Sequence, residues 1–505
     1  VCCLTAACAD DADTSASGAY DYEPTPPDES YADATGGGES VEVTDPPANT
    51  GDNYRAYEEN DFVDPAEDSE ATFSVDVDTG SYTIMRRDIR RGVLPVPAGV
   101  RVEEYINYFD YGYEGPGADS ELPFALHLES APSEFGAGKS LLRVGVKGRS
   151  IYEDERKHAN LVFLIDVSGS MAAPNKLGLV KESLNILLDN LKLSDTVGIV
   201  VYAGRDAVLL EPTPVEERDT ISDAINNLSA GGSTAGADGL RTAYELAEEA
   251  FVEGGINRVM LCTDGDFNVG LTGEALLSKI EQQRDRGITI STFGFGAGNY
   301  NDYQVEQIAN RGNGNYGYID SSAEAERIFG ERLTATLQVI AKDVKVQVDF
   351  NPDAVARYRL VGYDNRVIAD DDFEDDEVDA AEIGAGHAAT AFLEYELLET
   401  ITGEDPLLAE VRLRYKEPNG DESREITRDV RLSDVKESFD ASSAPMRFAA
   451  AVTEYAEMLR RSKHSTGNNF ETIMQIINAT MSPGDEDASE LLGLIEDASE
   501  IWDDQ

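Results

Sequence analysis

The chain is short of positive charge. Its 505 residues hold 98 aspartates and glutamates against 41 lysines and arginines, a formal net charge of −57. A surface of that sign repels nucleic-acid backbones and anionic lipid headgroups, so no nucleic-acid partner is expected. The acid excess runs along the whole chain, which fits either a surface adapted to high salt, where screening is strong, or simply a well-solvated extracytoplasmic protein. Cysteine is also scarce. Cys2, Cys3 and Cys8 crowd one end and Cys262 stands alone in an apolar run, so no spacing reads as a disulfide framework or a zinc site. Cys262 reads as a small buried hydrophobe. The four histidines, His127, His158, His387 and His464, are scattered and lack ligand spacing. No apolar run is long enough to cross a bilayer as a helix, and there are no internal repeats.

What is present is enough apolar material, 41% of residues, for two or three domains. Leu4-Thr5-Ala6-Ala7-Cys8 resembles the end of a bacterial lipoprotein signal peptide, with Cys8 the residue expected to carry lipid. Residues 9–69 are rich in Asp, Glu, Gly, Ser, Thr and Pro, with Arg55 the single basic residue. Such a composition predicts an extended, self-repelling tether. Together these features predict an extracytoplasmic protein of the bacterial cell envelope, touching a membrane only through a lipid anchor.

Past residue 70 the hydrophobic period organises the chain. Phe73, Val75 and Val77 alternate with polar residues as in a strand, and helices are expected over 82–91 and 102–109. Strands follow over 122–128 and 141–146. Leu161–Ile165 is an unbroken apolar run, the mark of a strand buried on both faces. Strands at 196–203, 258–262, 288–295 and 316–319 alternate with helices at 176–191, 220–228, 237–250, 274–286, 303–311 and 323–333. That alternation predicts an α/β fold, a doubly wound and mainly parallel sheet. After residue 340 the period returns to two, at Val344, Val346 and Val348, then over 391–397 and 409–415, ending at Val430 and Leu432; this is an antiparallel β region. Helical spacing resumes from Ala444.

Three loops carry the chemistry. Asp166-Val167-Ser168-Gly169-Ser170 follows the first buried strand, residues 231–236 form a Gly-rich loop holding Thr234, and Thr263-Asp264-Gly265 follows the strand ending at Cys262. All are expected at the carboxyl edge of one parallel sheet, where such folds bind ligands. Ser168, Ser170 and Thr234 offer neutral hydroxyls, while Asp166 and Asp264 supply negative charge, an oxygen-only set suited to a hard cation such as Mg²⁺, or Mn²⁺ or Ca²⁺. Few charges leave the ion electrophilic, able to take a partner's carboxylate as a further ligand.

In order and spacing these pieces resemble the metal-ion-dependent adhesion motif of von Willebrand factor type A domains. The resemblance implies metal ligands Asp166, Ser168, Ser170, Thr234 and Asp264. Further stretches, Phe73–Tyr82, Arg101–Phe109, Gly312–Tyr316, Val361–Arg366 and Glu382–His387, resemble bacterial type A proteins of the YfbK-like kind. Beyond the signal remnant and tether read over 1–70, the chain divides into a family-specific segment over 71–157, the type A domain over 158–335, a β-rich domain over 336–440 and helices over 441–505, as that resemblance implies. By analogy, residues 71–150 and 340–435 are expected to share an antiparallel β-sandwich. The implied function is metal-dependent binding of a protein that presents an Asp or Glu, in adhesion or complex assembly. The alternatives are a scaffold within an envelope complex and a metal-dependent hydrolase. No histidine pairs with the serines in a nucleophile arrangement, so no enzyme is expected.

Other signals carry less. Asp76 and Asp78 read as solvated or helix-capping rather than as a calcium site, the acidic run 370–379 as a solvated face, and Arg86 to Arg91 as partners for the chain's own acids.

Overall fold

The computed structural model describes residues 52–117, 120–203, 205–231, 237–265, 274–298 and 300–503. Cys8 and Thr234 lie outside them. The strands in chain order are β1 (Glu70–Ser74), β2 (Phe124–Pro132), β3 (Lys139–Gly148), β4 (Ala159–Asp166), β5 (Thr196–Ala203), β6 (Arg205–Pro214), β7 (Ile256–Thr263), β8 (Thr289–Phe295), β9 (Tyr316–Ile319), β10 (Val339–Phe350), β11 (Val355–Val361), β12 (Ala381–Gly384), β13 (Ala388–Leu397), β14 (Leu407–Lys416) and β15 (Ser423–Arg431).

Every residue of β4 and of β7 is buried, as their unbroken apolar runs demand. They are the central pair of a six-stranded sheet, ordered β6-β5-β4-β7-β8-β9, parallel except for edge strand β6. Leu161, Phe163 and Ile165 face one hydrophobic core, where helices Leu179–Asn190 and Arg218–Asn226 pack. Val162 and Leu164 face the opposite core, with Leu240, Tyr244, Leu276 and Ile280 from helices Ala237–Glu249 and Glu274–Arg284. From β4 the chain winds outward through β5 to β6, then crosses back to β7 and winds the other way. The helices after β4 and β7 therefore cover opposite faces, and the crevice between the carboxyl ends of these two strands is the switch point where a doubly wound sheet binds ligands.

The remaining strands form two antiparallel sheets, β1-β10-β14-β15 with β12 beside β10, and β11-β13-β3-β2. Each combines strands from before and after the parallel sheet, and their inner faces share one core. Helices Ala444–Leu459, Phe470–Thr480 and Glu486–Asp503 pack with Gly80–Arg90 and Val102–Ile106 around a second apolar cluster rich in tyrosine.

The structure corrects several expectations. Residues 52–69 do not behave as a tether: Asp52 is buried, Val63 exchanges backbone hydrogen bonds with Tyr358, and Asn53 bridges to Asn301. Specific polar contacts hold a segment whose composition alone could not fold. The strand expected through Val77 stops at Ser74, because Asp76 and Asp78 turn inward to Arg366. The helix expected over 102–109 ends at Ile106. That expected over 323–333 is broken into two short α-helical turns, Ser322–Glu326 and Leu333–Leu337, either side of a wider one, Arg327–Glu331. Strands β6, β11 and β12 were not foreseen.

Candidate metal centre

Asp166 is the last residue of β4, and Asp264 follows the last residue of β7. Parallel pairing sets Ile165 beside Cys262, so both carboxylates emerge on the same sheet edge. Asp166 is fully buried; its Oδ1 accepts the Ser168 amide at 2.8 Å, which folds the loop back over the strand end. The Ser168 and Ser170 hydroxyls sit 2.9 Å apart, Ser168 buried and Ser170 exposed. Two oxygens stand out. Asp166 Oδ2 and Asp264 Oδ1 are buried yet accept no hydrogen bond of good geometry among the described residues. A buried carboxylate oxygen without a donor costs about 1–3 kcal/mol or more, so the pair is an arrangement that a cation would relieve. Burial pushes the Asp166 carboxyl up to about 6, reinforced by the Asp264 charge and opposed by the Ser168 amide and hydroxyl and the Tyr202 phenol.

Gly265 takes φ +93°, and a Cβ there would lie 2.6 Å from the Asn301 amide nitrogen, so only glycine fits the turn that carries Asp264. Among the described residues no group of three or more His, Cys, Asp and Glu is arranged around one point. The donor set here is two carboxylates and two hydroxyls, with Thr234 beyond what the structure describes; all are oxygens, which fits a hard divalent cation.

A family profile described as von Willebrand factor type A domain matches residues 160–331, another described as von Willebrand factor matches 48–143, and a third, for the C-terminal part of uncharacterized protein YfbK, matches 335–407 and 401–501. Uncharacterized protein YfbK of Escherichia coli strain K12 is 38% identical over 444 residues, which cover 84% of this chain and 76% of that one. The chain belongs to the YfbK family. Among solved structures, a von Willebrand factor type A protein from Catenulispora acidiphila is similar over 68% of this chain and 81% of its own, at 20% identity and TM-score 0.43. Proximal thread matrix protein 1 from the mussel byssus, solved with a zinc-occupied MIDAS motif, is 23% identical over 35% of this chain and 45% of its own, with TM-score 0.29. The type A domain makes this YfbK-family chain a protein with an interaction domain.

One residue of the centre escaped the sequence. Lys176 reads there as the start of an amphipathic helix; instead it sits in a wide turn, Pro174–Gly178, before the regular helix begins. Its Nζ donates to Asp264 Oδ2 at 2.8 Å across 88 residues of sequence. Its stem lies on Gly296, where a Cβ would come within 2.4 Å of it. The loop after β8 is in turn held by Asp52, whose Oδ1 accepts the Gly298 and Tyr300 amides, both at 3.0 Å, and whose Oδ2 pairs with Arg87 at 2.7 Å. No periodicity could have revealed either contact.

The arginines of 86–91 pair internally as expected: Arg86 with Asp320, Glu324 and Glu490, Arg87 with Asp52 and Asp88, Arg90 with Glu490 and Arg91 with Asp88. Cys262 is buried, and burial pushes its thiol up to about 12.

Proposed function

We propose that this YfbK-family protein binds a divalent cation, Mg²⁺ or its near relatives Mn²⁺ and Ca²⁺, through Asp166, Ser168, Ser170, Thr234 and Asp264, and with it captures a carboxylate of a protein partner. The observation that carries this reading is the pair of buried oxygens at the switch point of the sheet, Asp166 Oδ2 and Asp264 Oδ1, which accept no hydrogen bond of good geometry among the described residues. A bound cation supplies an electrophilic position for an incoming Asp or Glu side chain. Asp166 and Asp264 hold the negative charge, Ser168 and Ser170 contribute neutral oxygens, and Gly265 keeps the Asp264 turn tight.

The role in this reading is binding, with the Ser168 and Ser170 hydroxyls, 2.9 Å apart, acting as ligands. Adhesion or complex assembly at the bacterial cell envelope, with a lipid on Cys8, completes the reading. It rests on the resemblance of residues 4–8 to a lipoprotein signal, and mass spectrometry of the peptide carrying Cys8 from the native host tests it. The binding reading is tested with an acidic partner protein in the presence of Mg²⁺. Binding should vanish in excess chelator and in Asp166→Asn; a partner that stays bound in chelator refutes it.

A further inference from the structure

Asp52 sits beside the metal centre. Its Oδ1 accepts the Tyr300 amide at 3.0 Å, the Asn53 amide donates to the Tyr300 carbonyl at 2.7 Å, and Asn53 bridges to Asn301 in parallel. Tyr300 and Asn301 in turn lie against the turn that carries Asp264: a Cβ on Gly265 would come 2.7 Å from the Tyr300 Cα and 2.6 Å from the Asn301 nitrogen. With ordinary covalent lengths between these atoms, the Asp52 carboxylate lies within about 9 Å of the Gly265 Cα. Buried Arg87, 2.7 Å from Asp52 Oδ2, fixes that position. The segment that precedes Asp52 is therefore attached at the sheet edge that holds Asp166 and Asp264.

That segment reads Glu42-Val43-Thr44-Asp45-Pro46-Pro47-Ala48-Asn49-Thr50-Gly51. Asp45 stands seven residues before Asp52, a reach of up to about 23 Å when extended and about 15 Å on average for a pliant chain. Either exceeds the gap to the Asp264 turn. We propose that Asp45 is the resident ligand of the metal centre: once a divalent cation is bound, this carboxylate takes the position open to a partner's Asp or Glu, and a partner must displace it. The inference rests on the metal-binding reading above. A linker this short holds its carboxylate around the centre at a concentration on the order of millimolar, which populates even a weak contact through a single side chain. Two consequences distinguish this centre from an open one. The tethered carboxylate adds to cation affinity, and it competes with any carboxylate supplied from outside, because ligands of one site are linked.

The test is calorimetric titration of Mn²⁺ into the full chain, in chloride and in acetate at equal ionic strength, for wild type, Glu42→Gln/Asp45→Asn, Glu58→Gln and Asp166→Asn. The double variant removes both acids of the stretch, and Glu58→Gln removes an exposed acid on the other side of Asp52 as a control for charge alone. The double variant should bind Mn²⁺ severalfold more weakly than wild type in chloride, while Glu58→Gln should stay near wild type. Acetate should tighten Mn²⁺ binding more in the double variant than in wild type, because only there does no tethered carboxylate compete for the position. Equal affinity in the double variant and wild type, a loss matched by Glu58→Gln, or an acetate response no larger than that of wild type overturns the resident ligand. Binding by wild type that disappears in Asp166→Asn leaves the metal site standing in each of those cases. No Mn²⁺ binding by wild type removes both readings.

Discussion

Replacing Asp52 by alanine is expected to loosen the protein far more than its place in an acidic, Pro- and Gly-rich stretch suggests. The carboxylate is buried, accepts the Gly298 and Tyr300 amides at 3.0 Å each and pairs with Arg87 at 2.7 Å. Hydrogen bonds to a charged group contribute about 1.5–3 kcal/mol each, and removing one member of a buried ion pair costs about 3–5 kcal/mol. These terms overlap, because Arg87 keeps Asp88 at 2.8 Å and the Tyr318 hydroxyl at 3.1 Å. The net loss should be about 3–5 kcal/mol. Asp52→Asn keeps an acceptor for the two amides and should lose roughly half of that. Urea unfolding followed by circular dichroism measures both. A chain begun at residue 71, which lacks Asp52, should share this loss. A loss below about 1 kcal/mol in Asp52→Ala would refute the clamp, since it would match an exposed pair.

Arg86→Met should cost about 3–5 kcal/mol, because Asp320 and Glu324 are left as buried carboxylates, and restoring the charge with Arg86→Lys should recover only part of it; a near-neutral Arg86→Met in urea unfolding would contradict this. Glu454 is buried against Ser465 and Asn468, and burial pushes its carboxyl up from 4.5 to about 8. The folded state therefore holds the proton more tightly than the unfolded chain. Its contribution is fully present below about pH 4.5 and is lost as the pH rises toward 8, at up to about 1.4 kcal/mol per pH unit. Glu454→Gln should be more stable than wild type at pH 8 and flatten that slope; an unchanged pH profile of unfolding would show that Glu454 is not the group responsible.

How much the sequence disclosed depended on the kind of contact. The alternation of apolar runs and helices from Leu161 to Ile319 is enforced by burial on both sheet faces, so it was legible, and so was the edge on which Asp166, Ser168, Ser170 and Asp264 would gather. Edge strand β6 was hidden because Arg205–Pro214 carries two prolines and leaves Val208 and Leu209 exposed; its ladder to β5, not a buried face, makes it a strand. Strand β11 was masked by Arg357 and Arg359, the latter buried in ion pairs with Glu394 and Glu457. Lys176 and Asp52 are single charges whose partners lie far along the chain, and one-dimensional patterns carry no trace of such pairings. The acid-rich composition pointed to a tether as far as residue 69, but composition averages over the few residues, Asp52 and Val63 among them, that fix 52–69 to the body.

The account stands or falls on whether the centre holds a cation. Calorimetric titration of Mg²⁺ and Mn²⁺ into wild type beside Asp166→Asn tests this most directly. The asparagine can still accept the Ser168 amide and keep the loop, but replaces the buried Oδ2, which accepts no hydrogen bond of good geometry among the described residues, with an amide nitrogen. About one ion per chain in wild type and none in the variant is the predicted result; equal binding by both, or none by wild type in the presence of a carboxylate, would contradict it.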